Sequence, residues 1–368
     1  MTNHLSSITG QEKVVEILNK FVSTEEIPHA LLFTGPRNVG QHFAARQLIK
    51  ELLKLNIPDK DYNSKIEKLE EPVIKYVIPL PRGRGETPDD FPLKKISSDD
   101  IEIIKDELRK KSENCFYEIS IEGANNIKIS SIRDIKKNLS INFDELPYRL
   151  ILIEDAHLMS KEAQNALLKS LEEPPRGVIF ILISDKPEIL LPTIKSRCWK
   201  IQFSSLQDSV LSDILISQFN IDPILSRQVI PFSSGSVYNV FKLLEYGFED
   251  IQETSINILR YSLGRRYNTA IKLFNNLIDK KSKHVVPIII QLLIEWFIDV
   301  QKSKIGSKDI HFNNYEETIQ KFISKFDYAQ LDEIIFSLTN LRNEIDKNIN
   351  LNLLILNIIF NIATISKR

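Results

Sequence analysis

The chain has 368 residues, 42% hydrophobic and 26% charged, a globular composition too long for one ordinary domain. Lys and Arg number 48 against 49 Asp and Glu, a formal net charge of −1, so the strongly basic balance of an autonomous nucleic-acid binder is absent. The only cysteines, Cys115 and Cys198, exclude a disulfide framework, and no histidine lies between His42 and His157 to complete a zinc module there.

The opening MTNHLSSITG lacks a basic stretch followed by an apolar one. Apolar stretches at Ile288–Val300 and Leu351–Ile365 are interrupted by polar residues before the ~20 that a membrane span needs. The expectation is a cytoplasmic protein. The spacing of Val14, Val15, Leu18 and Phe21 predicts an amphipathic helix over Gln11–Phe21. Ala30–Thr34 reads as a buried strand that runs into Gly35-Pro36, and Phe43–Leu53 as a helix. Residues 56–114 are charged and proline-bearing, and read as a loop-rich, solvated insertion with one helix near Asp99–Lys111. Ile127–Ile129 is strand-like, Ile132–Leu139 helical. Arg149–Ile153, Val178–Ser184 and Trp199–Phe203 read as apolar strands of a parallel sheet, with a helix over Ser160–Leu171 capped by Ser160. Beyond Ser204 the chain reads as helical to its end. On Val286–Gln301 the polar residues Gln291, Glu295 and Asp299 form one narrow line, four apart, on a helix otherwise apolar.

Two of these junctions carry chemistry. Gly35-Pro-Arg-Asn-Val-Gly40-Gln41-His42 lies between a strand and a helix and has the glycine spacing of a P-loop. Such a loop needs a lysine for the β/γ-phosphates and then Ser or Thr for magnesium; Gln41 and His42 stand there instead. Glu154-Asp155 closes an apolar strand in the Walker B manner, but in the reverse of the usual Asp-Glu order. Each acid is one methylene wrong for its post, and a 1 Å misplacement costs ~10²-fold. These residues read as a degenerate ATP site, with no zinc and no bound ATP expected. A third junction, Ser196-Arg197-Cys198, sits between two strands, where an arginine taken alone would be a surface salt bridge.

With Ala163-Gln-Asn-Ala-Leu-Leu-Lys-Ser-Leu-Glu-Glu-Pro-Pro175, the opening Ile8–Val15, Pro28–Phe33 and Ile127–Ile135, that run resembles the clamp-loader subunits of bacterial DNA polymerase III. These are AAA+ proteins, and the match is to the delta-prime family among them. The resemblance extends to Ile294–Asp299 and Asn348–Leu353 and covers nearly the whole chain except 56–114. It implies an AAA+ α/β domain (1–204, with 56–114 replacing the four-cysteine zinc module of many members), a small helical lid (205–247) and an all-α collar (248–368). It implies a non-hydrolysing stator whose Arg197, framed by Ser196 and Cys198, enters a neighbour's ATP site. The implied partners are gamma/tau and delta subunits, the sliding clamp and primed DNA. Gly235-Ser236 is followed by Val237-Tyr238, where the ATP-hydrolysing siblings carry an arginine; Ser184 lies near the sensor-1 position. The rival readings are an active AAA+ motor with a divergent P-loop, and a stand-alone DNA-binding protein.

Overall fold

A computed structural model of the chain describes residues 3–57, 62–140, 146–281, 285–345 and 350–367. The chain divides into two compact units, 1–210 with 236–238, and 211–235 with 239–368.

The first unit is built on a parallel five-stranded sheet, β1 (Ala30–Thr34), β2 (Ile74–Val77), β3 (Arg149–Ile153), β4 (Val178–Ser184) and β5 (Trp199–Gln202), in the order β2-β3-β4-β1-β5. Register is set by pairs such as Leu32 with Leu182 and Leu152 with Ile181. The three inner strands, β1, β3 and β4, are buried at every position. That is why their sequences run apolar without alternation: elements cover both faces. The helices of this unit are α1 (Glu12–Thr24), α2 (Gln41–Asn56), α3 (Asn63–Glu67), α4 (Ser98–Glu113), α5 (Ile129–Leu139), α6 (Lys161–Glu172) and α7 (Pro192–Lys195). The Ser160 hydroxyl accepts the Ala163 N–H and caps α6, as its sequence predicts. On one side of the sheet α5 and α6 place Ile132, Ile135, Ala163 and Leu167 against Ile151, Phe180 and Leu182. Each large apolar side chain so buried contributes ~1.5–3 kcal/mol.

Three expectations fail here. The 56–114 segment is not simply a solvated excursion: its Ile74–Val77 is the β2 edge strand, and Ile66, Val73 and Ile104 are core residues. Ile127 makes only an isolated bridge to Met159, because Ile129 already opens α5. Trp199–Phe203 does supply a strand of the parallel sheet, but not a fully apolar one. β5 is the other edge, with Trp199 55% exposed and Ile201 inward.

Helices α8 (Asp208–Phe219), α9 (Pro223–Val229), α10 (Val237–Glu245), α11 (Phe248–Leu263), α12 (Tyr267–Lys281), α13 (Val286–Lys304), α14 (Glu316–Lys325), α15 (Leu331–Glu344) and α16 (Leu351–Thr364) follow. In the second unit α13 packs against α11, α14 and α15 and is the centre of the core. Trp296, Phe297 and Phe322 meet edge to face, with ring centroids 5.0–6.1 Å apart. The polar line on α13 is buried at its far end. Asp299 has no exposure, and its Oδ2 accepts the His311 and Phe312 N–H groups at 2.8 Å each. Burial pushes the Asp299 carboxyl up, and those two amides pull it back. Among the described residues no helix is long and apolar enough to cross a membrane.

Candidate functional site: a filled nucleotide frame and an outlying arginine

The loop between β1 and α2 follows Gly35, whose φ of +139° and whose surroundings both demand glycine. A Cβ there would stand 2.4 Å from the Phe203 carbonyl oxygen. In a phosphate-binding loop the backbone N–H groups point at the ligand. Here the Gln41 side chain folds back onto the loop. Its Oε1 accepts the Val39 N–H at 3.1 Å and its Nε2 donates to the Pro36 carbonyl at 2.6 Å. The residue is 4% exposed.

One residue on, the buried His42 donates from Nδ1 to Glu154 Oε2 at 2.9 Å. The Tyr76 hydroxyl of β2 donates to the same oxygen at 3.0 Å. Lys111 of α4, 2% exposed, brings its Nζ to 3.7 Å from Glu154 Oε1 and donates to the Tyr117 carbonyl at 3.0 Å. Burial alone pushes the Glu154 carboxyl up. The Lys111 charge and the His42 and Tyr76 hydrogen bonds outweigh it and hold the group well below the usual carboxylate range. Burial, helped by Lys111, lowers His42 to about 4 against the pull of Glu154. The imidazole is neutral at pH 7, with its proton on Nδ1 toward the carboxylate. Its Nε2 is buried without a hydrogen-bond partner among the described residues.

This arrangement makes the fold acid-sensitive. The unfolded chain binds the His42 proton near pH 6.5, the folded chain only near 4. Stability present above pH 6.5 is therefore lost as the pH falls toward 4, by ~3 kcal/mol for this group. Burial lowers His157 too, so it adds to the same window. The depressed Glu154 works in the same direction below its unfolded value of about 4.5. Denaturant unfolding from pH 7 to pH 4 is expected to show this slope, and His42→Asn to flatten it in part. An unchanged slope in the variant would mean that His42 is not buried as the neutral form.

The second acid, Asp155, has a left-handed backbone (φ +47°) and takes Arg37 from the loop between β1 and α2, whose NH2 reaches both carboxylate oxygens at 3.0 Å. Arg37 also meets Glu118 at 3.2 Å and Asp185 at 3.8 Å, and its guanidinium lies 5.8 Å from the Tyr238 ring centroid. The Ser236 hydroxyl donates to the Arg37 carbonyl at 2.7 Å. His157 Nδ1 lies 3.2 Å from Ser184 Oγ and 3.4 Å from Asp185 Oδ1. Asp155, His157 and Asp185 bring ligand-type atoms within 4.8 Å of one another. Arg37 already supplies positive charge to two of the three.

The structure thus brings Gly35, Gly40, Gln41, His42, Glu154 and Asp155 together. Arg197 makes none of its hydrogen bonds to that cluster. It follows α7, one-third exposed, donating from NH1 to the Thr193 carbonyl at 2.9 Å and from NH2 to Glu172 Oε1 at 2.5 Å. The Ser196 hydroxyl donates to the same Thr193 carbonyl at 3.2 Å. Cys198 packs against the sheet core, and burial pushes its thiol up to about 12, which suits a packing residue and not a nucleophile. Sequence reasoning missed Tyr76, Lys111, Arg37 and Glu118. For Lys111 a signal existed, because it shares a helical face with Ile104 and Glu107, which are also buried.

The family model described as DNA polymerase III, delta subunit, matches residues 10–207, and a second model, for the C-terminal part of the delta subunit, matches residues 250–364. The chain is 27% identical over 256 residues to DNA polymerase III subunit gamma of Buchnera aphidicola subsp. Schizaphis graminum, covering 68% of this chain and 60% of that protein. It is 26% identical over 243 residues to DNA polymerase III subunit tau of Bacillus subtilis, covering 66% of this chain and 35% of that protein. The chain therefore spans between about a third and three fifths of these relatives. A solved DNA polymerase III gamma subunit-related protein of Thermotoga maritima aligns over 95% of this chain and 99% of its own, at 15% identity and a TM-score of 0.38. The parallel α/β sheet unit followed by a helical C-terminal region is the AAA+ architecture that the resemblance implies. With 198 of its 368 residues under the first model and most of the remainder under the second, the chain belongs to the DNA polymerase III delta subunit family.

Proposed function

We propose that the chain is the delta-prime-type stator of a clamp loader. It hydrolyses no ATP itself, helps place the sliding clamp on primed DNA beside gamma/tau and delta subunits, and lends Arg197 to a neighbour's ATP site. One observation carries the reading: the groups that would serve a nucleotide already serve the chain. Gln41 satisfies the loop amide, and His42, Tyr76 and Lys111 satisfy the first Walker B acid. Arg37 takes the second. A nucleotide and its magnesium would have to displace a buried ammonium from its carboxylate, and breaking such a pair costs several kcal/mol. The residues present do not fit ATP. Arg197, by contrast, is held by two local bonds at a partly exposed position, and its planar fork suits phosphate oxygens.

The test is DNA- and clamp-stimulated hydrolysis by the reconstituted loader, with this chain intact or as Arg197→Ala, beside the isolated chain. The expected result is an inactive isolated chain and a loader that assembles with Arg197→Ala but hydrolyses slowly. Hydrolysis by the isolated chain would overturn the stator reading in favour of a motor with a divergent P-loop.

A further inference from the structure

We infer that Glu172 is a positioning residue that holds Arg197 on its own chain until a stronger anion draws it away. The inference rests on the trans-arginine reading and assigns the control of that arginine. The geometry is local. Arg197 uses one terminal nitrogen on the carbonyl four residues back, Thr193, which lays the side chain along α7. The other terminal nitrogen then meets Glu172 Oε1. Both ends of the fork that would grip a phosphate are engaged within the chain.

The placement of Glu172 makes this contact more than incidental. It is the last residue of α6, and Glu173 follows as the C-cap. The C-terminus of a helix carries partial negative charge, so carboxylates are disfavoured there and cations favoured. Lys169 is the basic residue of that last turn, but the cation that Glu172 meets among the described residues is Arg197. The helix end and the carboxylate together form the docking place for the guanidinium.

The hold is weak by construction. Glu172 is 46% exposed and Arg197 33%, so water competes at the pair and salt screens it. A phosphate offers more charge and several oxygens in the geometry of the fork, and wins the arginine once a neighbour presents it. Glu172 therefore sets a small threshold, which keeps the arginine docked in the unassembled chain and which a neighbour's phosphate has to overcome each time it draws the arginine across. An exposed pair of this kind is worth at most about fivefold in the docking equilibrium.

The test uses the reconstituted loader with Glu172→Gln, Glu172→Asp and Arg197→Ala, and the Glu172→Gln, Arg197→Ala double variant. Glu172→Gln is expected to raise stimulated hydrolysis by about two- to fivefold at low salt, with the gain vanishing at high salt. Glu172→Asp keeps the wild-type rate, and the double variant matches Arg197→Ala. In the isolated chain labelled with 15N-arginine, the Arg197 side-chain signal, assigned by its loss in Arg197→Ala, sharpens in Glu172→Gln. A rate that stays level or falls in Glu172→Gln, with Arg197→Ala still impaired, overturns the role of Glu172 alone. An unimpaired Arg197→Ala overturns the trans-arginine reading, and this inference with it.

Discussion

Lys111→Met is expected to destabilise the first unit by ~3–5 kcal/mol, the cost of leaving a buried charge without its partner. The ammonium is 2% exposed, and it is the closest full positive charge to a carboxylate that His42, as the neutral imidazole, cannot neutralise. Without it the Glu154 carboxyl keeps its burial and loses the largest influence holding it ionised, so its pKa rises and only the His42 and Tyr76 hydrogen bonds still favour the charge. Removing both charges relieves the problem: replacing both members of a buried pair by neutral groups is far milder than removing one. Lys111→Met with Glu154→Gln is therefore expected to recover most of the loss. Amide hydrogen exchange in β3 and α2 reads the effect on this unit without assuming that the whole chain unfolds in one step. A loss under 1 kcal/mol, or strict additivity of the two substitutions, would show that the pair is not coupled.

The same residue explains what the sequence hides. The inner strands β1, β3 and β4 are legible because burial on both faces writes itself as an unbroken apolar run. β2 is not, because an edge strand four residues long, with Lys75 and Tyr76 in its middle, carries half of that signal inside a charged segment. Trp199 misleads for the opposite reason: an aromatic on an edge strand looks apolar in sequence and stands exposed in the fold. At the candidate site, the losses at Gln41 and His42 and the swapped order of Glu154 and Asp155 are readable, because a motif fixes what should stand at each position. Their replacements are not. Lys111 is 43 residues before Glu154, and Arg37 is 118 before Asp155. Only the sheet order brings each pair together. The 56–114 segment, read from sequence as a solvated insertion with one helix, thereby supplies both an edge of the sheet and, from that helix, the cation for the first acid.

On the stator reading proposed above, Arg197→Ala is the complementary case, an expected large loss of activity from a residue that holds little together. The side chain is one-third exposed, and its ion pair with Glu172 lies at the surface, so its removal costs the fold no more than ~1 kcal/mol. The loader should assemble with the variant as with the wild type. At the neighbouring site the expected loss is ~10³–10⁵-fold, the range for a guanidinium that meets charge developing on a transferring phosphoryl group. Arg197→Lys separates charge from geometry. Lysine keeps the positive charge as a point but loses the planar fork, so most of the loss should persist. Near wild-type hydrolysis with lysine would mean that the site needs only charge. Hydrolysis unchanged with alanine, in a fully assembled loader, would remove Arg197 from the reaction and leave the chain a scaffold.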